Sequence, residues 1–143
     1  MYKKILVGID WSNASLKAAE RAADLAYKME AELTLLTVVP PPTVFLGELL
    51  TPEIIDTTPL AKATREKLEQ LAEKLKANRE GLKVNYEVII GEPGDELVEY
   101  AVDNGYDLVV LGKRKLSGLE RFILGSVTKK VLEKSPIDLL IVT

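Results

Sequence analysis

Short, mainly apolar runs alternate along this chain with segments of helical periodicity, and this alternation constrains the fold more than any other feature. Continuous apolar runs are expected of strands that a parallel sheet buries on both faces. The predicted strands are Ile5–Ile9, Leu33–Val39, Val84–Ile90, Leu108–Leu111 and Leu139–Val142. A helical segment separates each strand from the next, and this order is typical of a doubly wound α/β protein.

The helical segments repeat apolar residues at spacings of three and four, which predicts one buried stripe on each helix. Ser12 or Asn13 can act as the N-cap of the first helix. Its stripe consists of Leu16, Ala18, Ala19, Ala22, Ala23 and Ala26. The second helix covers Leu60–Arg79, is closed by Gly81, and has a stripe of Ala61, Thr64, Leu68, Leu71, Ala72 and Leu75. Gly91–Gly94 predicts a turn, and the last two helices hold Leu97, Val98, Ala101 and Val102, and then Val127, Val131 and Leu132.

Right-handed crossovers leave few ways of joining these elements. We expect a five-stranded parallel sheet in the spatial order 3-2-1-4-5, with helices on both faces. Its switch point lies between the first and fourth strands, and ligands bind beside such a point at the carboxyl ends of the strands. The two loops that flank this crevice begin at Asp10 and Gly112.

The loop that begins at Gly112 joins the fourth strand to the N-terminus of a helix. Free backbone N–H groups and the positive end of a helix dipole favour a bound anion such as phosphate. Residues 112–121 contain four basic residues and one acidic residue, in a chain whose net charge is −3. A solvated connecting loop, with glycines that serve turn geometry, is the alternative interpretation.

The composition excludes several classes of protein. The chain has no cysteine, so disulfides and thiolate chemistry are excluded. It has no histidine, the commonest general base and metal ligand, so neither a transition-metal site nor a Ser-His-Asp hydrolase is expected. The first apolar run is too short for a signal peptide or a membrane span, and the mild acidity gives no support for a nucleic-acid partner. We expect a single cytoplasmic domain over residues 1–143, with no membrane contact.

The segment Pro40–Pro59 does not predict one structure. It contains Glu48, Glu53 and Asp56 but no lysine or arginine, together with several large apolar side chains. A connection of this length is usually functional or mobile. Its apolar residues indicate that it packs either on its own domain, as a loop with one helical turn, or on a partner chain.

Several of these stretches together resemble the universal stress protein family, in its single-domain, ATP-binding form. The matching stretches are Val7–Asp10, Leu36–Val38, Asp107–Gly112, Gly125–Val127 and Ser135–Pro136. The nucleotide signature of that family is glycine, two residues, glycine, nine residues, glycine, then serine or threonine. Gly112, Gly125 and Ser126 stand at this spacing, while Lys115 occupies the position of the second glycine. The fold that the resemblance implies is that of the adenine nucleotide alpha hydrolase-like proteins.

The resemblance also implies a role for each site residue on the nucleoside side. Asp10 would hydrogen-bond the ribose hydroxyls. The backbone of Val38 would read the adenine edge, between apolar walls formed by Ile9 and Leu111. Gly112 would let the backbone approach the sugar and the phosphates.

On the phosphate side, the resemblance implies that Gly125, Ser126 and the Val127 N–H hold phosphate oxygens at the start of the last helix. Lys115 adds positive charge to the same loop. The ligand would be ATP, or AMP or ADP, with any Mg²⁺ held mainly by the phosphates. Structural alternatives remain for three residues: a turn or capping role for Asp10, an N-cap for Ser126, and a core position for Val38.

Two functions of different classes follow. The first is a nucleotide-binding regulatory protein of the stress response, whose protein partner the sequence does not identify. The second is a dimeric interaction module of the same fold that does not bind nucleotide. The sequence shows no machinery for turnover, and slow ATP hydrolysis, as attributed to some relatives, would need only a positioned water and a metal ion. The resemblance implies a homodimer paired through strand 139–142, and the alternative is that residues 40–59 cover this edge.

Overall fold

Five parallel strands form one sheet in the order β3-β2-β1-β4-β5, as the sequence predicts. The computed structural model describes residues 1–41, 59–113 and 125–143. The strands are β1 (Lys4–Gly8), β2 (Glu32–Val39), β3 (Val84–Ile90), β4 (Leu108–Gly112) and β5 (Asp138–Val142). The prediction for Pro40–Pro59 falls largely outside the described residues. Lys115 and most of the loop around it also lie outside them.

The described helices cover both faces of the sheet. They are α1 (Asn13–Met29), α2 (Pro59–Lys76), α3 (Pro93–Asp103) and α4 (Ser126–Lys134). Successive residues of a strand point to opposite faces. In β1, Ile5 and Val7 pack with α1 and α2, whereas Leu6 packs on the other face with α3 and α4. The doubly wound architecture is therefore confirmed.

Helix α1 owes its bounds and its close approach to the sheet to its sequence. The hydroxyl of Ser12 accepts a hydrogen bond from the backbone N–H of Ser15 (3.1 Å), so Ser12 is the N-cap. Glu30 ends the helix in a left-handed conformation. The alanine stripe is fully buried and begins at the buried Ser15, whereas the predicted Leu16 is only half-buried. Small side chains let this helix lie close to the sheet.

Two helix boundaries differ by more than one residue from those predicted. Helix α2 ends at Lys76 instead of Arg79, because Arg79 folds back and donates from its Nη1 to the carbonyl of Leu75 (2.9 Å). Helix α3 begins at Pro93, inside the predicted turn, because the Glu92 carboxylate caps it through the backbone N–H of Asp95 (2.7 Å). Within the described residues, no helix combines the length and the hydrophobicity that a membrane span requires.

Two predicted stripe positions are corrected as well. Val102 is 46% exposed and Leu132 is 52% exposed, so neither belongs to the buried face of its helix. Of the residues predicted for these two stripes, Leu97, Ala101 and Val131 are buried, and Val98 and Val127 pack partly buried against the same cluster. Each of these two residues directly follows a buried one, Ala101 or Val131, and one step along a helix turns a side chain about 100° away from its predecessor.

Candidate functional site

A cleft of about 290 Å³ lies at the carboxyl ends of β1 and β4, at the switch point of the sheet. Its walls come from the ends of β1, β2 and β4 and from the first turns of α1, α3 and α4. The structure brings together in this cleft every predicted site residue that it describes. These residues are Ile9, Asp10, Val38, Leu111, Gly112, Gly125, Ser126 and Val127. Lys115, the remaining predicted residue, lies outside the described residues.

One part of the cleft is apolar. Ile9 and Leu111 line it together with Leu36 and Leu97, which the sequence analysis did not assign to the site. Gly8 keeps this part open, because a Cβ atom there would lie 2.9 Å from Cδ2 of Leu111. This part of the cleft suits a flat, weakly polar group.

The backbone of Val38 points toward this apolar region. The Leu36 carbonyl accepts from the N–H of Ile9 on the β1 side (2.8 Å), and the Val39 carbonyl accepts from Gly91 on the β3 side (3.0 Å). Backbone groups alternate between the two sides of a strand, so those of Val38 face the β1 side. Strand β1 has ended by then, and the Ile9 carbonyl accepts from the Thr37 hydroxyl (3.0 Å). The polar edge of Val38 therefore opens into the cleft.

A hydrogen-bonded turn holds Asp10 at the start of α1. Its Oδ1 accepts from the backbone N–H of Ser12 (3.0 Å) and from the Ser12 hydroxyl. The Ser15 hydroxyl donates to the Ser12 carbonyl (3.1 Å) and accepts from the Asp10 N–H (3.2 Å). Asp10 thus has the turn role that the sequence left open, while its side chain remains exposed and lines the cleft. Ser12 was predicted only as a helix cap, and Ser15 was not assigned to the site.

Three helix N-termini reach the cleft, and they differ in how they are capped. Side chains cap α1 through Ser12 and α3 through Glu92. The N-cap of α4 is Gly125, and no side chain of the described chain caps this helix. The alternative that Ser126 is the N-cap is therefore wrong: Ser126 is the first helical residue. The first intrahelical bond runs from the Lys129 N–H to the Gly125 carbonyl (3.0 Å), which leaves the preceding N–H groups for a ligand.

Ion pairs join α3 to α4 beside the cleft. Lys130 Nζ lies 3.0 Å from Glu92 Oε2 and 3.3 Å from Asp95 Oδ2, and Lys134 Nζ lies 3.1 Å from Asp95 Oδ1. The Asp95 backbone N–H and then the Lys130 ammonium hold the pKa of Glu92 below its usual value. Lys134 and then Lys130 lower the pKa of Asp95 in the same way. Both carboxylates are therefore ionised at neutral pH and paired with lysines.

Sequence reasoning missed two further contributions to the cleft. Thr128, 8% exposed, lines it from the first turn of α4. A hydroxyl residue in the first turn after a glycine loop is a signal that could have identified it. Pro93 and Leu97 come from α3, whose proximity to this cleft depends on the packing of α3 against α4. Among residues 1–41, 59–113 and 125–143, no acidic cluster is arranged to hold a metal ion.

Comparison with known proteins gives consistent matches over the whole chain. Residues 1–143 match the model of the universal stress protein family. Universal stress protein YxiE of Bacillus subtilis is 35% identical over 99% of this chain and 99% of its own length. The structure of UspA from Lactobacillus plantarum superposes with a TM-score of 0.79 at 26% identity, covering 99% of this chain and 98% of that one. A universal stress protein in complex with cAMP superposes with a TM-score of 0.72 at 29% identity, covering 99% and 97%.

Proposed function

The chain belongs to the universal stress protein family, and on that premise we propose that it binds an adenine nucleotide, ATP, ADP or AMP, as a regulatory protein of the stress response. The observation that carries the proposal is the N-terminus of α4, which no described side chain caps and which opens into the same cleft as the Asp10 carboxylate. A ligand with an anionic group and a hydroxyl-bearing sugar would supply acceptors for the N–H groups of this helix and donors for the Asp10 carboxylate. The structure of a relative with cAMP supports the choice of an adenine ligand.

The adenine base occupies the apolar part of the cleft in this proposal. Ile9 and Leu111, which are almost fully buried, supply its walls. The N–H and C=O groups of Val38 face the same space and can pair with the polar edge of the base. A planar base between apolar side chains, oriented by a few backbone hydrogen bonds, is a common arrangement in ligand pockets.

The sugar and phosphates lie toward the helix N-termini. The exposed Asp10 carboxylate is a charged acceptor for ribose hydroxyls. Phosphate oxygens accept from the first N–H groups of α4, at Ser126 and Val127, with the Thr128 hydroxyl as a further donor. Lys115, outside the described residues, adds a positive charge from the loop. Any Mg²⁺ would be held mainly by the phosphates themselves.

The regulatory role follows from ordinary linkage. A nucleotide shifts the protein toward one conformation or one partner surface by its differential affinity for the two states.

We further propose that the chain forms a homodimer through β5. This strand lies at the edge of the sheet and keeps Leu139, Leu140 and Ile141 partly exposed. A dimeric module without nucleotide remains the second candidate, favoured by Lys115 in the position of a signature glycine.

Mass spectrometry of the small molecules released from the purified, denatured protein tests the proposal. We expect an adenine nucleotide in near-stoichiometric amount. If the purified protein carries no nucleotide, titration calorimetry of the wild type with ATP should still give saturable binding. No released nucleotide together with no measurable ATP binding would favour the module without nucleotide.

A further inference from the structure

Trp11 has an unusual backbone conformation beside the cleft. Two non-glycine residues have a positive φ in the described part of the chain, Trp11 at 68° and Glu30 at 57°. Glu30 is the C-cap of α1, where a left-handed residue is common. Trp11 has no such role, and for a bulky residue this conformation is an outlier that persists only when its surroundings impose it.

The left-handed conformation at Trp11 turns its side chain away from the cleft that its two neighbours line. Asp10 and Ser12, on either side of it, both line the cleft, and Ser12 donates to Asp10 Oδ1 from its backbone N–H (3.0 Å) and from its hydroxyl. The indole is not among the groups that line the cleft. It packs, partly buried, against the core between the sheet, α1 and α2, and Lys67 Nζ of α2 lies 4.7 Å from the ring centroid.

We propose that Trp11 is a positioning residue for the ligand: its indole, anchored on α2 beneath Lys67, holds the strained turn that aims Asp10 into the cleft. The cation over the ring and the apolar contacts supply the interactions that offset the strain. Without the indole, the backbone at position 11 is free to relax to an ordinary conformation, and the Ser12 N–H then moves away from Asp10. The part of this inference that concerns a ligand rests on the proposed nucleotide binding.

The first test needs no ligand. Amide hydrogen exchange of Ser12, followed by NMR, reports its hydrogen bond to Asp10 in Trp11→Gly and Trp11→Phe, and amides of β4 report global stability. Glycine tolerates a positive φ but does not impose it, whereas phenylalanine keeps most of the anchor. We expect Ser12 exchange to accelerate about fivefold or more in Trp11→Gly, as for loss of one hydrogen bond, and to stay near the wild-type rate in Trp11→Phe. An unchanged Ser12 rate in Trp11→Gly would overturn the proposal.

The second test is ATP affinity by calorimetry of the same variants. We expect Trp11→Gly to bind about fivefold or more weakly, with binding restored in Trp11→Phe. A glycine variant whose Ser12 amide is exposed but which binds ATP as tightly as the wild type would overturn the positioning role. If the wild type itself does not bind ATP, the nucleotide proposal fails separately, and the exchange measurement still decides whether Trp11 holds the turn.

Discussion

A Cβ atom added to Gly112 would lie 2.8 Å from the backbone nitrogen of Ser15, and closer still to the carbonyl of Ala14. The end of β4 therefore packs directly on the first turn of α1, where neither backbone can give way easily. We predict that Gly112→Ala lowers the free energy of unfolding without ligand by about 1–3 kcal/mol, as overpacked substitutions do. Urea denaturation measures this effect.

Gly125→Ala is the matched control for that prediction. A Cβ atom at Gly125 meets nothing within 4 Å among the residues that the structure describes, and its φ of −65° suits alanine. We expect the free energy of unfolding to fall by only about 0.5–1 kcal/mol, since alanine is a poorer N-cap than glycine, while the added methyl group at the start of α4 weakens ATP binding. Equal destabilisation by the two substitutions would contradict the assignment of Gly112 to packing.

Asp10→Ala should weaken nucleotide binding far more than it weakens the fold. Loss of hydrogen bonds to a charged acceptor costs on the order of 1.5–3 kcal/mol, which is roughly a ten- to 150-fold rise in Kd. The side chain is exposed, and its bonds to Ser12 are local, so the melting temperature should fall only slightly. Titration calorimetry measures the affinity.

Asp103→Ala controls for removal of an exposed carboxylate, because Asp103 lies at the end of α3 and does not line the cleft. Its affinity for ATP should match that of the wild type. If the two variants bind equally well, Asp10 does not contact the ligand.

The sequence was sufficient for the sheet and insufficient for the details of the helix ends. Strand β3 has the predicted bounds, and the strand order is confirmed, because buried parallel strands leave a strong apolar signal. The ends of α2 and α3 depend on long-range or side-chain contacts, those of Arg79 with α1 and of Glu92 with Asp95. No local pattern contains the contacts of Arg79 with α1, whereas Pro93 at the first helical position, after the Glu92 cap, is a local signal of a helix start that the prediction missed.

The same limit applies to the cleft. Gly112 and Gly125 follow from motif spacing, and Asp10 follows from the end of the first predicted strand, but Pro93 enters the cleft only through the packing of α3 on α4. The strain at Trp11 is equally invisible in the sequence, because a bulky residue gives no signal for a positive φ.

Acid should weaken the contact between α3 and α4. The folded pKa values of Glu92 and Asp95 lie below their ordinary values, so their stabilising contribution is present above the unfolded pKa, about 4, and is lost as pH falls through the folded values. In Lys130→Met this contribution is reduced. We expect the difference in unfolding free energy between wild type and variant to be largest near neutral pH and to shrink in acid. A difference that stays constant with pH would show that the ion pairs do not stabilise the fold.

Substitution of Ile141 by proline should convert the proposed dimer to a monomer. The Val142 carbonyl faces β4, where it accepts from Lys113 (2.8 Å), so by alternation the N–H of Ile141 faces the open edge. Proline removes that donor without breaking the β4 ladder, and an edge position tolerates it. Light scattering at micromolar concentration should give twice the chain mass for the wild type and the chain mass for Ile141→Pro. A monomeric wild type contradicts the dimer.

Lys115→Gly decides whether the departure from the family signature helps or hinders binding. Lys115 lies outside the described residues, so the expectation rests on two opposing forces. A left-handed backbone at a lysine costs roughly 1–2 kcal/mol, while a charge about 4 Å from a phosphate contributes from roughly 1 kcal/mol in water to about 4 kcal/mol near a protein surface. The attraction can match or exceed the strain, and we therefore expect ATP binding to survive with strong salt dependence. In a titration with ATP at low and high salt, Lys115→Gly should bind ATP more weakly than the wild type at low salt. The difference in Kd between the two proteins should narrow as salt screens the charge. Tighter binding by the variant at both salts would show instead that the lysine blocks the site, and the chain would then not be a natural ATP binder.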